Sequence, residues 1–160
     1  IFDSHEKLVV PYRAEHNRFA YDNEKYFNDG GDIRAIVIKS NIKINIKYIL
    51  GILNSQLMDW YYGFIGKPKG KSREYFNEPM SKIPIRTIDF NNPSEKAIHD
   101  KLVSLVDRML DLHKKKNSLP PSAEREKIER EIAITDEKID EIVYGLYGVT
   151  EEERKIIEGK

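Results

Sequence analysis

Two apolar stripes with the same spacing mark the second part of the chain. Residues of each stripe follow one another at alternating intervals of four and three, which is typical of helices that pack along a seam. The first stripe consists of Ile98, Leu102, Leu105, Met109 and Leu112, and the second of Ile128, Ile132, Thr135, Ile139, Ile142 and Leu146. Their matching period and the short connection between them predict an antiparallel two-helix hairpin.

The ends of these helices carry the expected capping residues. Residues 92–95, Asn-Pro-Ser-Glu, predict the start of the first helix, and the cationic stretch at 114–117 closes it. The sequence Leu-Pro-Pro-Ser at 119–122 cannot continue a helix, so the second helix is predicted from about 123 to 147. Thr-Glu-Glu-Glu at 150–153 is a capping box that predicts a short terminal helix after Gly148.

The first part of the chain mixes strand and helix patterns. Residues 8–11 and 33–39 are short apolar runs that predict strands, and the glycine-containing segment 28–32 predicts a turn between them. From Asn45 to about Phe64 apolar residues recur at three- and four-residue steps, which predicts one amphipathic helix. A loop at 66–71 and an extended segment at 83–85 follow.

These patterns together predict an α+β fold in two domains. Residues 1–92 form a small domain of mixed sheet and helix. Residues 93–160 form the long antiparallel helical hairpin, a coiled-coil spacer with a short terminal helix.

Composition narrows the class of protein. The content of 39% hydrophobic and 10% aromatic residues is that of a folded globular chain, and the absence of cysteine excludes disulfides and thiolate metal sites. No apolar run has the length of a membrane span, so we expect a cytoplasmic protein without a membrane partner. Because the chain starts at Ile1, in the middle of a domain-like pattern, we expect a C-terminal fragment of a longer protein.

Charge is unevenly distributed although the chain as a whole is neutral. Residues 1–92 carry 14 Lys and Arg against 11 Asp and Glu, whereas residues 93–160 carry 13 against 16. Only the first part therefore has the surplus of positive charge that favours a polyanionic partner.

The sequence contains no constellation that indicates catalysis. Asp136-Glu137-Lys138 has the residue types of a nuclease site, but it falls on the predicted coiled coil, where charged residues form a solvated face. The histidines have no second ligand at metal-binding spacing, and His99 and His113 are expected on the helix surface. We therefore expect no catalytic residue, metal site or cofactor in this chain.

Binding has a clearer candidate in a short basic run. Four cations, Lys67, Lys69, Lys71 and Arg73, fall within seven residues, with Pro68 and Gly70 between them and two aromatic residues directly after. Flexible cations neutralise nucleic-acid phosphates, and small residues allow the backbone to approach closely. An ordinary solvated loop accounts for the run equally well, and both interpretations stay open.

Weaker candidates lie elsewhere in the first part. Arg13 and Arg18 are placed to contact guanine edges through paired hydrogen bonds, although an arginine there can equally pair with Glu15 or Asp22. Aromatic residues cluster on the predicted helix, where they are more typical of a core than of a stacking platform. They are Trp60, Tyr61, Tyr62 and Phe64.

Several segments resemble a known family in their order and spacing. Leu-Val-Val-Pro-Tyr-Arg at 8–13, Arg-Phe-Ala-Tyr-Asp at 18–22 and Tyr-Ile-Leu-Gly-Ile-Leu-Asn-Ser at 48–55 are similar to segments of the TaqI-like C-terminal specificity domain. The basic stretch 66–75, the Ile-Pro-Ile segment 83–85 and the ending 139–153 are also similar. The resemblance covers nearly the whole chain.

The resemblance implies sequence-specific recognition of double-stranded DNA. Such domains belong to adenine-N6 DNA methyltransferases and to single-chain restriction enzymes that also cleave. The methyl donor, S-adenosylmethionine, is then expected in a catalytic domain of the same full-length chain, outside the fragment. The basic run 67–73 matches the family's DNA-facing region in position. The Leu-Gly-Ile-Leu-Asn-Ser segment is implied to be a folding signature.

A second interpretation places the function in the helical hairpin. The hairpin resembles the spacer helices of type I specificity subunits, which join other subunits. In this alternative the chain is a protein–protein module that can self-associate. An exposed apolar stripe on the hairpin, or dimerisation in solution, would favour it. A hydrolase or transferase of another type lacks any supporting constellation.

Overall fold

The computed structural model describes residues 5–24 and 31–159. In this part of the chain, two small antiparallel sheets and six helices form the mixed α+β fold that the sequence predicts. None of the described helices combines the length and apolar character needed to cross a bilayer.

The first sheet has three antiparallel strands in the order β3-β1-β4. The central strand, β1 (Lys7–Pro11), pairs with β3 (Ala20–Asp22) on one side and with β4 (Ile33–Ile36) on the other. The predicted strands at 8–11 and 33–39 are confirmed, although β4 ends three residues early. β3 was not predicted. The predicted turn lies largely outside the described residues, at 28–30.

The second sheet corrects the prediction of a loop at 66–71. Its strands run in the order β2 (Arg13–Ala14), β6 (Ser72–Glu74) and β5 (Lys67–Lys69), so that β5 and β6 form a hairpin. The two-residue turn places Gly70 at φ 63°, while Lys71 keeps a negative φ, which is typical of a type II′ turn. A glycine in the first turn position is what allows this short connection.

Two helices replace the single one predicted from Asn45 to Phe64. α1 (Ile46–Asn54) starts as predicted, because the Asn45 side chain accepts a hydrogen bond from the backbone N–H of Lys47 at 2.9 Å. Ser55 then adopts an extended conformation and caps α2 (Gln56–Ile65) by accepting a hydrogen bond from Met58 N–H at 3.3 Å. The apolar spacing continues across the break, and for that reason the pattern alone did not reveal it.

The helices after residue 92 agree with the predictions, whereas the short helix α3 (Asn77–Met80) was not predicted. α3 is a single turn, and α4 (Pro93–Ser118) and α5 (Ala123–Tyr147) form the antiparallel hairpin. Asn92 and Ser122 cap the two long helices, and Gly148 ends α5 at φ 64°. The capping box of Thr150 and Glu153 opens α6 (Glu151–Glu158).

The helical hairpin of α4 and α5 packs on α1. This contact shifts the buried face of the helical hairpin relative to the predicted seam. Val106 and Val143, which lie outside both predicted stripes, are buried, whereas Ile98 is exposed. Gly51 of α1 makes the close approach possible, since a Cβ built there would lie 3.0 Å from side-chain carbons of Leu102 and Val106. Seam positions such as Leu102, Ile128 and Ile139 are buried as expected.

His99 corrects the expectation of a surface histidine. Its ring lies between the rings of Tyr48 and Phe90, with centroid distances of 5.0 Å to each. Its Nε2 accepts a hydrogen bond from the backbone N–H of Asn45 at 3.2 Å, and its Nδ1 lies 2.9 Å from an Asp100 carboxylate oxygen. His99 therefore joins the start of α4 to the start of α1.

One hydrophobic cluster runs through both parts of the chain. It extends from Leu8 and Val10 of β1 through α1 and α2 to Leu102 of α4 and Val143 of α5. The predicted boundary at residue 92 thus crosses a continuous core, and the division of the chain into two domains stays a prediction.

Candidate nucleic-acid interface

Three of the four predicted cations lie exposed on the β5–β6 hairpin. Lys67 and Lys69 share one face of β5, because side chains alternate along a strand, and Lys71 occupies the turn. Lys67 Nζ lies 3.7 Å from a Glu74 carboxylate oxygen and 5.5 Å from the centre of the Phe76 ring. In the described part of the chain, no carboxylate forms an ion pair with Lys69 or Lys71.

Arg73 has a different position from the three lysines. Its side chain is only 11% exposed, and its guanidinium donates to the carboxylate and the backbone carbonyl of Asp59, the latter at 2.6 Å. A Cβ built at Gly63 would lie 3.2 Å from the same guanidinium, so the glycine leaves the room that Arg73 occupies. Arg73 thereby ties the base of the hairpin to α2.

Arg13 pairs with a carboxylate that its sequence position did not indicate. Its Nε and Nη2 lie 2.8 and 2.7 Å from Glu74 Oε1, because β2 and β6 pair Arg13 with Glu74 directly. Burial of Glu74 raises the pKa of that carboxyl, but the Arg13 hydrogen bond and charge and the Lys67 charge outweigh burial and leave the pKa below its ordinary value. Neither Glu15 nor Asp22 is the partner.

Arg18 lies apart from these cations. It is exposed and lines a cleft of about 560 Å³ between the β3–α1 region and the helical hairpin. Apolar residues of α4 and α5, among them Val106 and Ile139, line the opposite wall. The second sheet therefore brings Arg13, the lysines and Arg73 together but leaves Arg18 on a separate surface.

The sequence prediction missed Arg34, a cation of the first sheet that lies close to the second. Its guanidinium lies 5.2 Å from the centre of the Tyr12 ring, and Arg13 lies 5.3 Å from the same ring. Tyr12 also meets Phe76 edge to face at 5.2 Å. The one signal in the sequence was a lone arginine inside the apolar run at 33–38, which the strand prediction absorbed.

The aromatic residues of α2 are only partly in the core. Tyr62 is fully buried and stacks on Tyr75 at 4.7 Å, as expected. Trp60 and Phe64 correct the expectation, since they are 36% and 71% exposed and pack edge to face at 4.7 Å. The helix therefore presents one aromatic pair to solvent.

Acidic residues collect where α5 meets the start of α2. Asp140 accepts a hydrogen bond from the backbone N–H of Gln56 at 2.8 Å, and burial raises the pKa of Asp140 to about 6. Asp136 and Glu137 line a cleft together with Asp140 and remain exposed, as predicted for a solvated face. Within residues 5–24 and 31–159, no group of three potential ligands is arranged to hold a metal ion.

Comparison with known proteins gives this surface a context. The family model for the TaqI-like C-terminal specificity domain matches residues 1–85, which include both sheets, α1, α2 and α3. The match thus covers all of the predicted DNA-facing cations and stops before the helical hairpin.

Similar proteins include a type II restriction enzyme and methyltransferase of Escherichia coli, RM.Eco57I, which is 30% identical over 86% of this chain. The type II methyltransferase M.HincII of Haemophilus influenzae is 38% identical over 69% of this chain. The chain spans 14% of the length of the first protein and 23% of the second.

Proposed function

Since this chain belongs to the TaqI-like C-terminal specificity domain family, we propose that it recognises a specific sequence of double-stranded DNA within a restriction–modification protein. The observation that carries the proposal is the β5–β6 hairpin, which presents Lys67 and Lys69 of its first strand and Lys71 of its turn to solvent. Exposed lysines of this kind neutralise phosphates without reading sequence.

The chemistry belongs elsewhere in such a protein. A methyltransferase domain of the full-length chain, the adenine-N6 type by resemblance, would bind S-adenosylmethionine and transfer the methyl group. RM.Eco57I is a restriction enzyme as well as a methyltransferase, and on that similarity the proposal extends to DNA cleavage by the parent protein. The role of the present residues is to position that machinery on DNA in the cytoplasm, and no catalytic step is assigned to them.

Arg73 supports this surface in the proposal rather than contacting DNA itself. Its guanidinium is already engaged by Asp59, and moving it to a phosphate would remove the arginine partner of that partly buried carboxylate. Phosphate contact therefore rests on the three lysines. Arg13 and Arg18 stay candidates for base contact, Arg13 through the guanidinium edge that Glu74 leaves free.

Self-association through the helical hairpin is the alternative, and it stays a prediction. α4 and α5 bury their facing stripes against each other and against α1. Among the described residues of the two helices, the exposed large apolar side chains are Ile98 and Ile134. Two separated side chains give this alternative less support than a continuous stripe would.

A salt series on duplex DNA tests the proposal. Wild-type chain is compared with a K67A/K69A/K71A variant that keeps Arg73 and therefore the contacts beneath the hairpin. If each lysine contacts one phosphate, the slope of log affinity against log salt should fall in magnitude by about 2 to 3. Affinity for all duplexes should fall together, because phosphate contacts are not sequence-specific.

A charge-matched variant separates local contact from general charge. K101A/K127A/K138A removes three exposed lysines of the helical hairpin and should leave affinity and slope close to those of the wild type. Equal losses in the two triple variants would remove the assignment to the β5–β6 hairpin. Absence of salt-sensitive binding by the wild-type chain would reject DNA recognition.

A further inference from the structure

A cleft of about 580 Å³ lies beside the β5–β6 hairpin, between the two sheets. Its walls come from β4, the end of α2, β5 and α3 with the residue before it. Polar and aromatic side chains that line it are Arg34, Lys67, Phe76, Asn77 and Glu78. The cleft is open to solvent, so that a large partner can reach the side chains within it.

Arg34 has the geometry of an arginine prepared for recognition. Val10 of β1 pairs with Arg34, which places Tyr12 diagonally across the strand pair and under the Arg34 guanidinium. Among residues 5–24 and 31–159, no carboxylate forms an ion pair with Arg34, in contrast to Arg13 and Arg73. The aromatic contact limits the motion of the side chain while leaving its N–H donors available.

The acidic residue of the cleft does not neutralise this arginine. Glu78 pairs with Lys82, one turn further along the chain. Lys67, at the other side of the cleft, is associated with Glu74 and the Phe76 ring. The Arg34 guanidinium, which lies over the Tyr12 ring, and the Glu78 carboxylate therefore line one cleft without forming an ion pair.

We propose that Arg34 is a specificity-determining residue that contacts the major-groove edge of a guanine. The inference rests on the proposed recognition of duplex DNA. Guanine presents two adjacent acceptors, O6 and N7, and the fork of an arginine matches both at once. Glu78 suits the amino group of the paired cytosine, so Arg34 and Glu78 together match the two bases of a G·C pair.

This role differs from that of the lysines on the hairpin. Lys69 and Lys71 are flexible, exposed and suited to a phosphate in any sequence. Arg34 is half-buried and oriented by Tyr12, so its contact depends on where the two acceptors lie. The charge of the hairpin brings DNA to the surface, and Arg34 selects among the sequences that arrive.

Selection from a pool of randomised duplexes tests the role of Arg34. Wild-type chain should enrich sequences with guanine at one position or more. Arg34→Lys keeps the charge and loses the paired hydrogen bonds, so it should lose the preference at one of those positions by about tenfold or more. Its affinity for unselected duplex and its salt slope should stay those of the wild type. Arg130→Lys, an exposed arginine on α5, is the matched control and should enrich the same sequences as the wild type.

The outcomes distinguish this inference from the proposed function. Salt-sensitive binding with an unchanged preference in Arg34→Lys would overturn the role of Arg34 and leave DNA binding in place. Equal loss for all sequences would make Arg34 a phosphate contact, which also overturns base recognition. A wild-type chain that binds no duplex at all rejects both. Thermal unfolding of Arg34→Lys at the wild-type temperature shows that the variant is folded.

Discussion

Asp59 shows how much of the site depends on a single side chain. Its carboxylate holds the Arg73 guanidinium, accepts a hydrogen bond from the backbone N–H of Asn17 at 2.6 Å and lies 2.9 Å from His16 Nδ1. Residues 16–17, α2 and β6 therefore meet at this one side chain. The contacts of Asp59 and the pairing of β2 with β6 together fix the position of the β5–β6 hairpin.

We expect the free energy of unfolding to depend on pH because of Asp140. Its pKa, about 6 in the folded protein, exceeds the value of about 3.9 expected in the unfolded chain. The folded state therefore binds the proton more tightly, and this contribution to stability, present in acid, is lost as the pH rises through about 6. Asp140→Asn keeps an oxygen for Gln56 N–H and should raise the free energy of unfolding at pH 7.5 by about 1 to 2 kcal/mol, a value reduced for partial exposure.

Urea denaturation at pH 4 and pH 7.5 measures the effect. The gain from Asp140→Asn should be large at pH 7.5 and nearly absent at pH 4, where the wild-type carboxyl is also protonated. Asp111→Asn, an exposed carboxylate on α4, should change stability little at either pH. A gain of the same size at both pH values would show that proton binding is not its cause.

For single residues, the sequence identifies the residue types of the site but not the partners that each side chain contacts. Lys67 to Arg73 is a single basic run in the sequence, yet Arg73 is buried against Asp59 while the lysines face solvent. The choice of Glu74 for Arg13 follows from strand register, and the contact of Arg34 with the Tyr12 ring follows from the pairing of β1 with β4. None of these contacts has a local signal.

The Leu-Gly-Ile-Leu-Asn-Ser segment shows at the level of elements why a short sequence can direct a fold. Gly51 admits α4 to close contact, and Ser55 starts α2 as its cap. Asn54 accepts from the backbone N–H of Phe19 at 2.9 Å and donates to the carbonyl of Phe19 at 2.8 Å, acting as a partner for the strand edge. The expectation that this segment serves folding agrees with these contacts.

Gly51→Val is predicted to separate α1 from α4. A Cβ at this position would already lie 3.0 Å from Leu102 and Val106, and a valine adds two further methyl groups to that contact. Overpacking of this kind should lower the free energy of unfolding by about 1 to 3 kcal/mol, measured by chemical denaturation.

Gly145→Val in α5 provides the matched control. No atom lies within 4 Å of a Cβ built there, so the same change in another helix should cost little or add slightly to stability. Equal destabilisation by the two substitutions would contradict the contact with α4 as the cause of the cost at Gly51.

Elements with local signals were predicted well. The bounds of α4, α5 and α6 follow from caps and prolines that act within a few residues, and these were predicted closely. The break at Ser55 has only a lone serine cap inside a continuous apolar spacing, and the two-residue strand β2 depends on pairing with β6, so the sequence pattern revealed neither. Val106 and Val143 were missed for another reason, since a two-helix seam does not include α1, which packs on α4, or α2, which packs on α5.

For the molecule as a whole, the continuous core predicts that both parts unfold together. Trp60, the single tryptophan, reports on α2, whereas far-UV circular dichroism reports mainly on the long helices. The two signals should follow one urea transition. Leu102→Ala in α4 should shift both midpoints equally and cost about 2 to 5 kcal/mol, because Leu102 is fully buried against α1.

Two separate transitions would contradict joint unfolding and would show that residues 1–92 and 93–160, the two predicted domains, unfold independently. Ile134→Ala removes an exposed side chain of the same helical hairpin and should leave both midpoints unchanged.

The exposed lysine side chains of the β5–β6 hairpin have one further consequence. Lys69 and Lys71 take no part in the hydrophobic core, and the turn between them depends on Gly70 rather than on either lysine. Replacing such residues costs little stability, because no packing contact is lost. The surface can therefore be redesigned while Gly51, Asn54 and Ser55 keep the scaffold unchanged. Under the proposed function, affinity for DNA could therefore change without any change in the fold.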